Sequence, residues 1–310
     1  MKAIECLKYG DAENLVLSHV EKPTPKDDEV LIKIHATSVT TSDVLLRRMN
    51  QPTIPRFILQ LIFGFGGPRN PILGMVTSGI VERKGKDVRS FNVGDNVFAF
   101  GSVSPVNRRF GSYSEYICLP EDWNLALKPA NLTFEEAAAI PYGGLLATHL
   151  LSKMSINRGD KVLIYGASGS IGTMLIQLAK NAGADITGVC SSRNFDLVKS
   201  LGCDQVIDYT LTNAESKLET YQYVIDTVGN SKSSLLKERS KKALTSNGKY
   251  ISIDQGTPST PRQSFRLLKT LSEQEIIRPI IDRVFPLEKI VDAHKYVEMG
   301  HKRGSVIIAI

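Results

Sequence analysis

Short apolar segments separated by glycine turns dominate the first third of the chain. These segments predict strands at residues 30–36, 80–82, 96–100 and 113–119. Gly85, Gly94 and Gly101 lie between or after them, where turns need residues of high backbone freedom. The pattern is typical of an irregular β-barrel-like domain and not of a repeating strand–helix unit.

A different pattern begins at Thr133, where Thr-Phe-Glu-Glu forms a capping-box sequence. It predicts a helix that is broken at Pro141 and at Gly143-Gly144 and then continues to about Met154. Further along, apolar strands alternate with helical stretches. Five strands are predicted, at residues 161–165, 185–190, 205–209, 223–227 and 249–253. This alternation is typical of a parallel sheet covered by helices on both faces.

The end of the chain changes pattern once more. It predicts a strand at 280–285, a helix at 287–299 and an apolar final strand at 305–310. We expect this tail to return to the first domain, because its strands do not continue the regular alternation of the preceding region.

One internal stretch, residues 57–67, is apolar and interrupted only by Gln60. Because a helix needs roughly 20 apolar residues to cross a bilayer, this stretch does not span a membrane. It fits a core segment or a loop packed on the core, which is the interpretation we favour. The alternative is an apolar lip over a substrate site.

The chain carries a moderate excess of basic side chains. The net charge of +6 comes from 38 basic and 32 acidic residues. The densest basic runs, 237–242 and 301–303, are interpreted as solvated helix faces. No nucleic-acid-binding motif accompanies them, so we expect no nucleic-acid partner. A basic chain still attracts an anionic dinucleotide.

Cysteine usage bears on metal binding and on location. Cys6, Cys118, Cys190 and Cys203 are too scattered to form the paired ligands of a zinc lobe. The first ten residues contain charged side chains and no apolar leader segment. These features favour reduced thiols, and we expect a cytoplasmic protein.

A glycine-rich loop joins the predicted strand 161–165 to the helix that follows. It reads Gly166-Ala167-Ser168-Gly169-Ser170-Ile171-Gly172. Gly166 permits the tight turn, Gly169 lets the backbone approach a pyrophosphate, and Gly172 lets the helix pack against the strand. The amides that begin the helix then face the phosphates. The loop predicts a dinucleotide site, with a glycine turn that binds nothing as the alternative.

The end of the second strand of this unit indicates which dinucleotide is bound. NAD-binding proteins place an acidic residue there, about 20 positions after the loop, on the adenosine ribose. Here the strand ends at Ser191-Ser192-Arg193, and the first carboxylate is Asp196. Ser191 and Arg193 are suited to donate hydrogen bonds to a 2′-phosphate, although Arg193 also fits an exposed first-turn residue. We therefore predict NADPH as the cofactor.

Further motifs run in order along nearly the whole chain. They occupy residues 74–75, 79–81, 93–98, 111–116, 135–138, 166–172, 201–203, 206–209 and 226–229. With them the chain resembles the medium-chain dehydrogenase/reductase superfamily, specifically its zinc-free quinone oxidoreductase-like branch. That resemblance implies an α/β fold with a nicotinamide site between two domains.

The resemblance also implies a domain plan. A GroES-like, β-rich catalytic domain is expected over 1–125, and a Rossmann doubly wound parallel sheet over 126–275. The C-terminal segment, 276–310, is expected to return to the catalytic domain. Cofactor contacts are implied for Tyr209 and for the backbone around Val228. The alternative for Tyr209 is an aromatic residue that merely ends a strand.

The chain departs from the zinc-dependent alcohol dehydrogenases of this superfamily. Those enzymes carry a cysteine near the position of Thr40 and Gly-His-Glu where this chain has Gly74-Met75-Val76. Thr40 and Met75 supply none of the thiolate, imidazole or carboxylate groups that zinc requires. We therefore expect no catalytic metal.

Without a Lewis acid, quinones and α,β-unsaturated carbonyls are the easier acceptors, because the charge of the arriving hydride spreads over the conjugated system. Candidate proton donors are Tyr142, Ser42 and ordered water, with Asp43 and Thr40 nearby in sequence. Core packing of Tyr142 and a helix N-terminal or salt-bridge role of Asp43 are the alternatives. Quinone reductases often carry Asn near Thr40 and Thr near Leu146, and both differ here.

Two other functions fit the same motifs. One is a zinc-free NADP-dependent alcohol or aldehyde dehydrogenase, and the other is an NADPH-binding sensor without turnover. The expected partner is a small-molecule substrate. The sixth Rossmann strand that usually pairs across a dimer is missing or short after Ile253, so monomer and homodimer are equally expected.

Overall fold

The structure is a computed structural model that describes residues 1–50, 53–101, 109–231, 233–255 and 262–310. Its strands are β1 Lys2–Cys6, β2 Leu15–His19, β3 Glu29–Val39, β4 Val76–Lys84, β5 Asn96–Phe100, β6 Tyr116–Pro120, β7 Leu125–Leu127, β8 Lys161–Tyr165, β9 Asp185–Cys190, β10 Gln205–Asp208, β11 Tyr221–Asp226, β12 Leu244–Ser252, β13 Ile281–Pro286 and β14 Ser305–Ala309. Its helices are α1 Thr41–Arg48, α2 Thr53–Phe63, α3 Phe134–Ala139, α4 Pro141–Leu151, α5 Ser170–Asn181, α6 Phe195–Ser200, α7 Leu235–Ser240, α8 Arg262–Glu273 and α9 Ile290–Glu298.

A seven-stranded sheet is built around the long strand β3. Its order is β13-β14-β3-β4-β5-β7, and β6 also pairs with β3. The alternating apolar residues Val30, Ile32 and Ile34 of β3 are fully buried. The last strand, β14, lies antiparallel to β3 with Val306 opposite Val39. The C-terminal segment thus completes the sheet that the first third of the chain begins.

A second large sheet has five strands in the order β10-β9-β8-β11-β12, and they are all parallel. The predicted parallel sheet is confirmed. The chain steps outward from β8 to β9 and β10 and then returns to β11 on the other side of β8. Such a reversal opens a crevice at the carboxyl ends of the two central strands. Within the described part of the chain no sixth strand joins this sheet.

The capping box at Thr133 is confirmed, but the predicted break in the following helix is wrong at one point. Only Ile140 separates α3 from α4, and Gly143 and Gly144 lie inside α4. A Cβ on Gly143 would lie 2.2 Å from the carbonyl oxygen of Ser170. The two glycines therefore serve close packing between helices and not a turn, and α4 ends at Leu151 rather than near Met154.

The interpretation of residues 57–67 as core is wrong. Residues 57–63 belong to α2, whose Leu59 and Phe63 are half-buried and pack against the core. The other apolar side chains of this stretch point to solvent. Periodicity alone did not reveal this, because the stretch is apolar on every side. No helix within the described residues is long and apolar enough to cross a membrane.

Candidate active site

The glycine loop leaves the end of β8 and begins α5. Gly166 has a φ of +84°, and a Cβ there would lie 2.5 Å from Thr227 Oγ1. A Cβ on Gly172 would lie 2.3 Å from the carbonyl oxygen of Gly166. A Cβ on Gly169, the N-cap of α5, would meet nothing closer than 3.6 Å. The fold therefore demands glycine at 166 and 172, whereas it leaves the space over Gly169 open.

The C-terminal segment lies against this loop. Gly304 N donates to Ser168 O at 2.9 Å, and Ser170 Oγ donates to Gly304 O at 2.6 Å. The Nζ of Lys302 donates to Ser170 Oγ at 2.6 Å and to Gly304 O at 2.7 Å. The first amides of a helix have no acceptor within the helix and favour anions. Lys302 adds a full positive charge at the start of α5.

The interpretation of the run 301–303 as a solvated face is wrong for Lys302. Its side chain is partly buried because it lies between the tail and the first turn of α5. Burial lowers the pKa of Lys302 to about 8, although the charge of Asp282 opposes that shift. The ammonium form therefore predominates at neutral pH but is lost at moderately alkaline pH.

The segment after β9 lies beside the same loop. Asn194, which is buried, donates through Nδ2 to Ser168 Oγ at 3.0 Å and to Ser191 Oγ at 3.4 Å. The exposed Arg193 donates through Nη2 to the carbonyl oxygen of His301 at 3.1 Å. Serine hydroxyls and a guanidinium thus lie where β9 ends, and the carboxylate of Asp208 reaches the same segment through the amide of Ser192.

The segments after β10 and β11 complete the crevice. Tyr209 follows β10 and is 41% exposed. Asp208 accepts from Ser192 N at 3.0 Å and from Thr210. Burial raises the pKa of Asp208, but the hydrogen bonds from Thr210 and Ser192 together outweigh burial, so the pKa lies below its usual value. Val228 follows β11, and its Cγ2 would lie 2.8 Å from a Cβ on Gly166.

The loop after β11 is fixed by a buried ion pair. Asp226 Oδ1 accepts from the amide of Val228 at 2.9 Å, and its Oδ2 lies 2.8 Å from Lys237 Nζ. Lys237 is buried, so the interpretation of the run 237–242 as a fully solvated face is wrong at this position. The pair positions the backbone that lines the crevice beside Gly166.

Two candidate proton donors come together from distant parts of the chain. Ser42, in the first turn of α1, and Tyr142, in the first turn of α4, place their hydroxyl oxygens 3.2 Å apart. Both side chains are partly exposed. Since the neighbouring Gly143 packs on Ser170, this pair lies next to the start of α5. The two hydroxyl groups are thus placed beside the crevice.

Thr40 and Asp43 hold each other at the start of α1. Thr40 Oγ1 donates to Asp43 Oδ2 at 2.5 Å, and the amide of Asp43 donates back to Thr40 Oγ1 at 3.2 Å. Both residues are buried. Burial, and next the charge of Asp43, raise the pKa of Tyr113 well above its usual range. This reciprocal cap fixes the helix turn that carries Ser42.

The two positions where zinc dehydrogenases carry ligands hold other groups. Thr40 is committed to its helix cap, and Met75 is buried in an apolar cluster with Phe98 and Leu146. Among the described residues, no group of three or more His, Cys, Asp or Glu side chains is arranged to hold a metal ion.

A β-rich domain, a parallel sheet with a glycine loop at its switch point, and hydroxyl groups between them define a two-domain dinucleotide-dependent dehydrogenase or reductase. Comparisons agree. The family model described as "Alcohol dehydrogenase GroES-like domain" matches residues 26–130, and "Zinc-binding dehydrogenase" models match residues 170–276 and 256–308. The chain belongs to the medium-chain dehydrogenase/reductase superfamily of oxidoreductases, in its quinone oxidoreductase-like branch.

Individual relatives cover nearly the whole chain. It is 32% identical to the 2-methylene-furan-3-one reductase of Solanum lycopersicum, over 99% of this chain and 79% of that protein. It is 29% identical to the chloroplastic NADPH-dependent alkenal/one oxidoreductase of Arabidopsis thaliana, with the same coverage of 99% and 79%. The structure of the quinone oxidoreductase from Coxiella burnetii superposes with a TM-score of 0.85 at 27% identity, covering 100% of this chain and 99% of that one. The predicted GroES-like and Rossmann fold is confirmed.

Sequence reasoning missed two residues of this site. Lys302 stands in a basic run, which by itself does not distinguish an ion-binding lysine from a solvated one. Asn194 adjoins Arg193, but nothing in the sequence indicates that its amide joins Ser168 to Ser191. Both depend on contacts between segments far apart in the chain.

Proposed function

We propose that the protein is an NADPH-dependent reductase of α,β-unsaturated carbonyls and quinones that works without zinc. The observation that supports this most is the crevice at the ends of β8 and β11. Lys302 and Arg193 provide positive charge there, and the segment 191–193 after β9 contains no acidic side chain. The nearby carboxylate of Asp208 is engaged with Ser192 N and Thr210. Relatives named for NADPH and for alkenal, enone-type or quinone acceptors support the same choice of cofactor and substrate class.

The crevice suits NADPH along its whole length. The first amides of α5, from Ser170, Ile171 and Gly172, together with the ammonium of Lys302, fit the diphosphate. Ser191 and Arg193 fit the 2′-phosphate, and Val228 fits a wall of the nicotinamide side. When bound, NADPH supplies a hydride. The residues of this chain bind it, orient it and supply the proton.

The proton comes from the Ser42–Tyr142 pair. Reduction of an enone adds a hydride to the β-carbon and a proton to the α-carbon, which gives the saturated carbonyl and NADP⁺. Reduction of a quinone needs the same hydride and one proton, which together give the hydroquinone. Tyr142 holds the donated proton on its hydroxyl oxygen, and Ser42, 3.2 Å away, accepts or passes on a hydrogen bond.

Zinc independence rests on what occupies the ligand positions. The hydroxyl of Thr40 is bonded to Asp43 within a helix cap, and the thioether of Met75 is buried among apolar side chains. Neither group binds zinc in proteins, since the metal takes thiolates, imidazoles and carboxylates. Polarisation of the acceptor therefore falls to hydrogen bonds from hydroxyl groups.

The free cysteines support a cytoplasmic location. All four cysteines are free, and burial raises the pKa of Cys190 and of Cys203 to about 12. Such thiols remain protonated and unreactive in a reducing compartment.

Arg193→Ala should weaken NADPH binding by about tenfold, because a charge-assisted hydrogen bond contributes about 1.5 kcal/mol or more. NADH binding should stay the same, since NADH lacks the 2′-phosphate. Fluorescence titration of both cofactors measures this. Lys199→Ala, an exposed cation on α6, is the control. Equal loss for both cofactors, or no loss for NADPH, would contradict the assignment.

NADPH affinity should fall as the pH rises from 7 to 10. Free Lys302 has a pKa lowered to about 8 from the usual 10.5, and a bound diphosphate favours its charged form and raises it. Binding is therefore strongest below pH 8 and weakens above it, by up to about tenfold per pH unit, until the pKa of the complex is reached. Isothermal titration across this range measures the slope.

Lys302→Met should remove that slope and weaken binding of NADPH and NADH alike at pH 7, by about tenfold. Lys295→Met, whose amine pairs with Glu13 on the surface, should leave both unchanged. If NADPH affinity in Lys302→Met still falls with rising pH, a group other than Lys302 titrates.

The reaction itself is tested by isotope transfer. With NADPH deuterated at the transferable position of C4, the saturated product of an enone should carry one deuterium at the β-carbon. Mass spectrometry and proton NMR locate it. An unlabelled product, or a semiquinone signal from quinones in place of the hydroquinone, would mean single-electron reduction.

A further inference from the structure

An exposed apolar patch lies on the first domain, on α2 and the segments beside it. Its members are Leu7, Phe57, Ile58, Leu61, Ile62 and Phe65, each between 38% and 64% exposed. The rings of Phe57 and Phe65 meet edge to face with centroids 6.0 Å apart. Leu7 adjoins them, since Tyr9 N donates to Gly66 O at 3.0 Å. A contiguous apolar surface of this kind marks a binding surface.

The helix that carries most of the patch, α2, turns an apolar face to solvent, whereas a surface helix usually turns a polar one. In its described part, from Arg56 to Phe63, the exposed side chains are Arg56 and the four apolar residues at 57, 58, 61 and 62. Leu59 and Phe63 anchor the opposite side in the core, where Phe63 meets Phe110 at 5.9 Å. The helix is therefore held firmly while its outer face stays apolar.

Only cations flank this face in the surrounding sequence. From residue 44 to residue 81 the chain contains arginines at 47, 48, 56 and 69 and no Asp or Glu. Arg47 is buried, whereas Arg48, Arg56 and Arg69 are exposed, and Arg69 Nη2 donates to Leu61 O at 3.0 Å. Lys8 follows Leu7 and is exposed, and the acids nearest to Leu7 in sequence are Glu5 and Asp11. Arg56 on α2 and Arg69 at Leu61 thus place positive charge at the edge of the patch, and the surrounding sequence is predominantly basic.

We infer that α2 and the apolar patch dock on an anionic lipid surface, with the helix lying in the plane of the membrane interface. Interfacial helices present aromatic and branched aliphatic side chains to the membrane and carry arginines and lysines around them. The patch has the same composition. The basic rim meets anionic headgroups, which attract such residues within a Debye length. This attachment is peripheral and consistent with a chain whose described helices do not span a bilayer.

A second copy of the chain fits this surface less well. A two-fold dimer through the patch would bring the positive charges around one patch towards those around the other, and like charges across an interface disfavour association. An anionic surface removes that repulsion. Charge complementarity therefore favours lipid over self-association.

Vesicle flotation tests the inference with the full-length protein. The wild type should float with vesicles of phosphatidylcholine containing roughly 30 mol % phosphatidylserine, and far less with pure phosphatidylcholine. The double variant F57S/L61S should lose about tenfold or more in bound fraction, because two large side chains no longer enter the interface. V93S/V284S removes two exposed apolar side chains elsewhere, of 62% and 50% exposure, and should float as the wild type does.

The other outcomes overturn the inference. A wild type that stays with the unbound fraction, or an F57S/L61S protein that floats normally, excludes lipid docking by the patch. A wild type that does not float but whose mass in light scattering falls on F57S/L61S substitution indicates that the patch binds a second copy instead. Circular dichroism of each variant confirms that the comparison is made on folded protein.

Discussion

Gly169→Ala is expected to reduce NADPH affinity by about 100-fold, because a methyl group there displaces the diphosphate and costs at least two charge-assisted hydrogen bonds of about 1.5 kcal/mol each. The unliganded fold accommodates the change. Gly169 has a φ of −80°, and its added Cβ meets no atom closer than 3.6 Å. Loss of binding with an intact fold is therefore a signature of a ligand over this residue.

Two controls separate ligand exclusion from damage to the loop. The melting temperature of Gly169→Ala should differ little from that of the wild type, since an N-cap glycine replaced by alanine costs at most about 1 kcal/mol. Gly172→Ala should lower stability itself, because its Cβ would lie 2.3 Å from a carbonyl oxygen. Unchanged NADPH affinity in Gly169→Ala would show that the diphosphate lies elsewhere.

Tyr142→Phe is expected to lower kcat for an enone by about 100-fold, the lower end of the contribution of a positioned general acid. The phenylalanine keeps the ring that packs beside the core and removes only the hydroxyl that lies 3.2 Å from Ser42 Oγ. NADPH affinity should stay unchanged because the hydroxyl is not assigned to cofactor binding. Stopped-flow measurement of single-turnover NADPH oxidation isolates this step.

The matched control for this substitution is Tyr223→Phe. It also removes one tyrosine hydroxyl, which donates to Ser155 O at 3.0 Å on the surface of the second domain. Its kcat should equal that of the wild type. If Tyr142→Phe turns over normally while keeping a solvent isotope effect, the proton comes from ordered water and the role assigned to Tyr142 is wrong.

The sequence predicts the strand, the glycine loop and the helix of the candidate dinucleotide site well, because these three are local. The strand, the glycine loop and the helix start follow one another between residues 161 and 181, and their spacing fixes their geometry. The ends of β9, β10 and β11 then meet the loop as a consequence of parallel strand order. Ser191, Arg193, Tyr209 and Val228 could be located from that order alone.

The rest depends on contacts that no local pattern encodes. Lys302 reaches Ser170, 132 residues away in sequence, only because the segment that leads into β14 lies against the glycine loop. Ser42 meets Tyr142, 100 residues away in sequence, because α1 of the first domain lies close to the start of α4. Uniform hydrophobicity predicts burial of residues 57–67, and a helix with an outward apolar face is an exception to that rule.

The most direct test of the central claim is steady-state NADPH oxidation with a quinone, an enone, a simple aldehyde and an alcohol plus NADP⁺, measured after exhaustive treatment with a chelator. NADH at equal concentration serves as the comparison. We predict turnover of the quinone and the enone with NADPH, much slower turnover with NADH, and no effect of the chelator or of added zinc. Tight NADPH binding without turnover of any acceptor, or alcohol oxidation that requires zinc, would contradict the account.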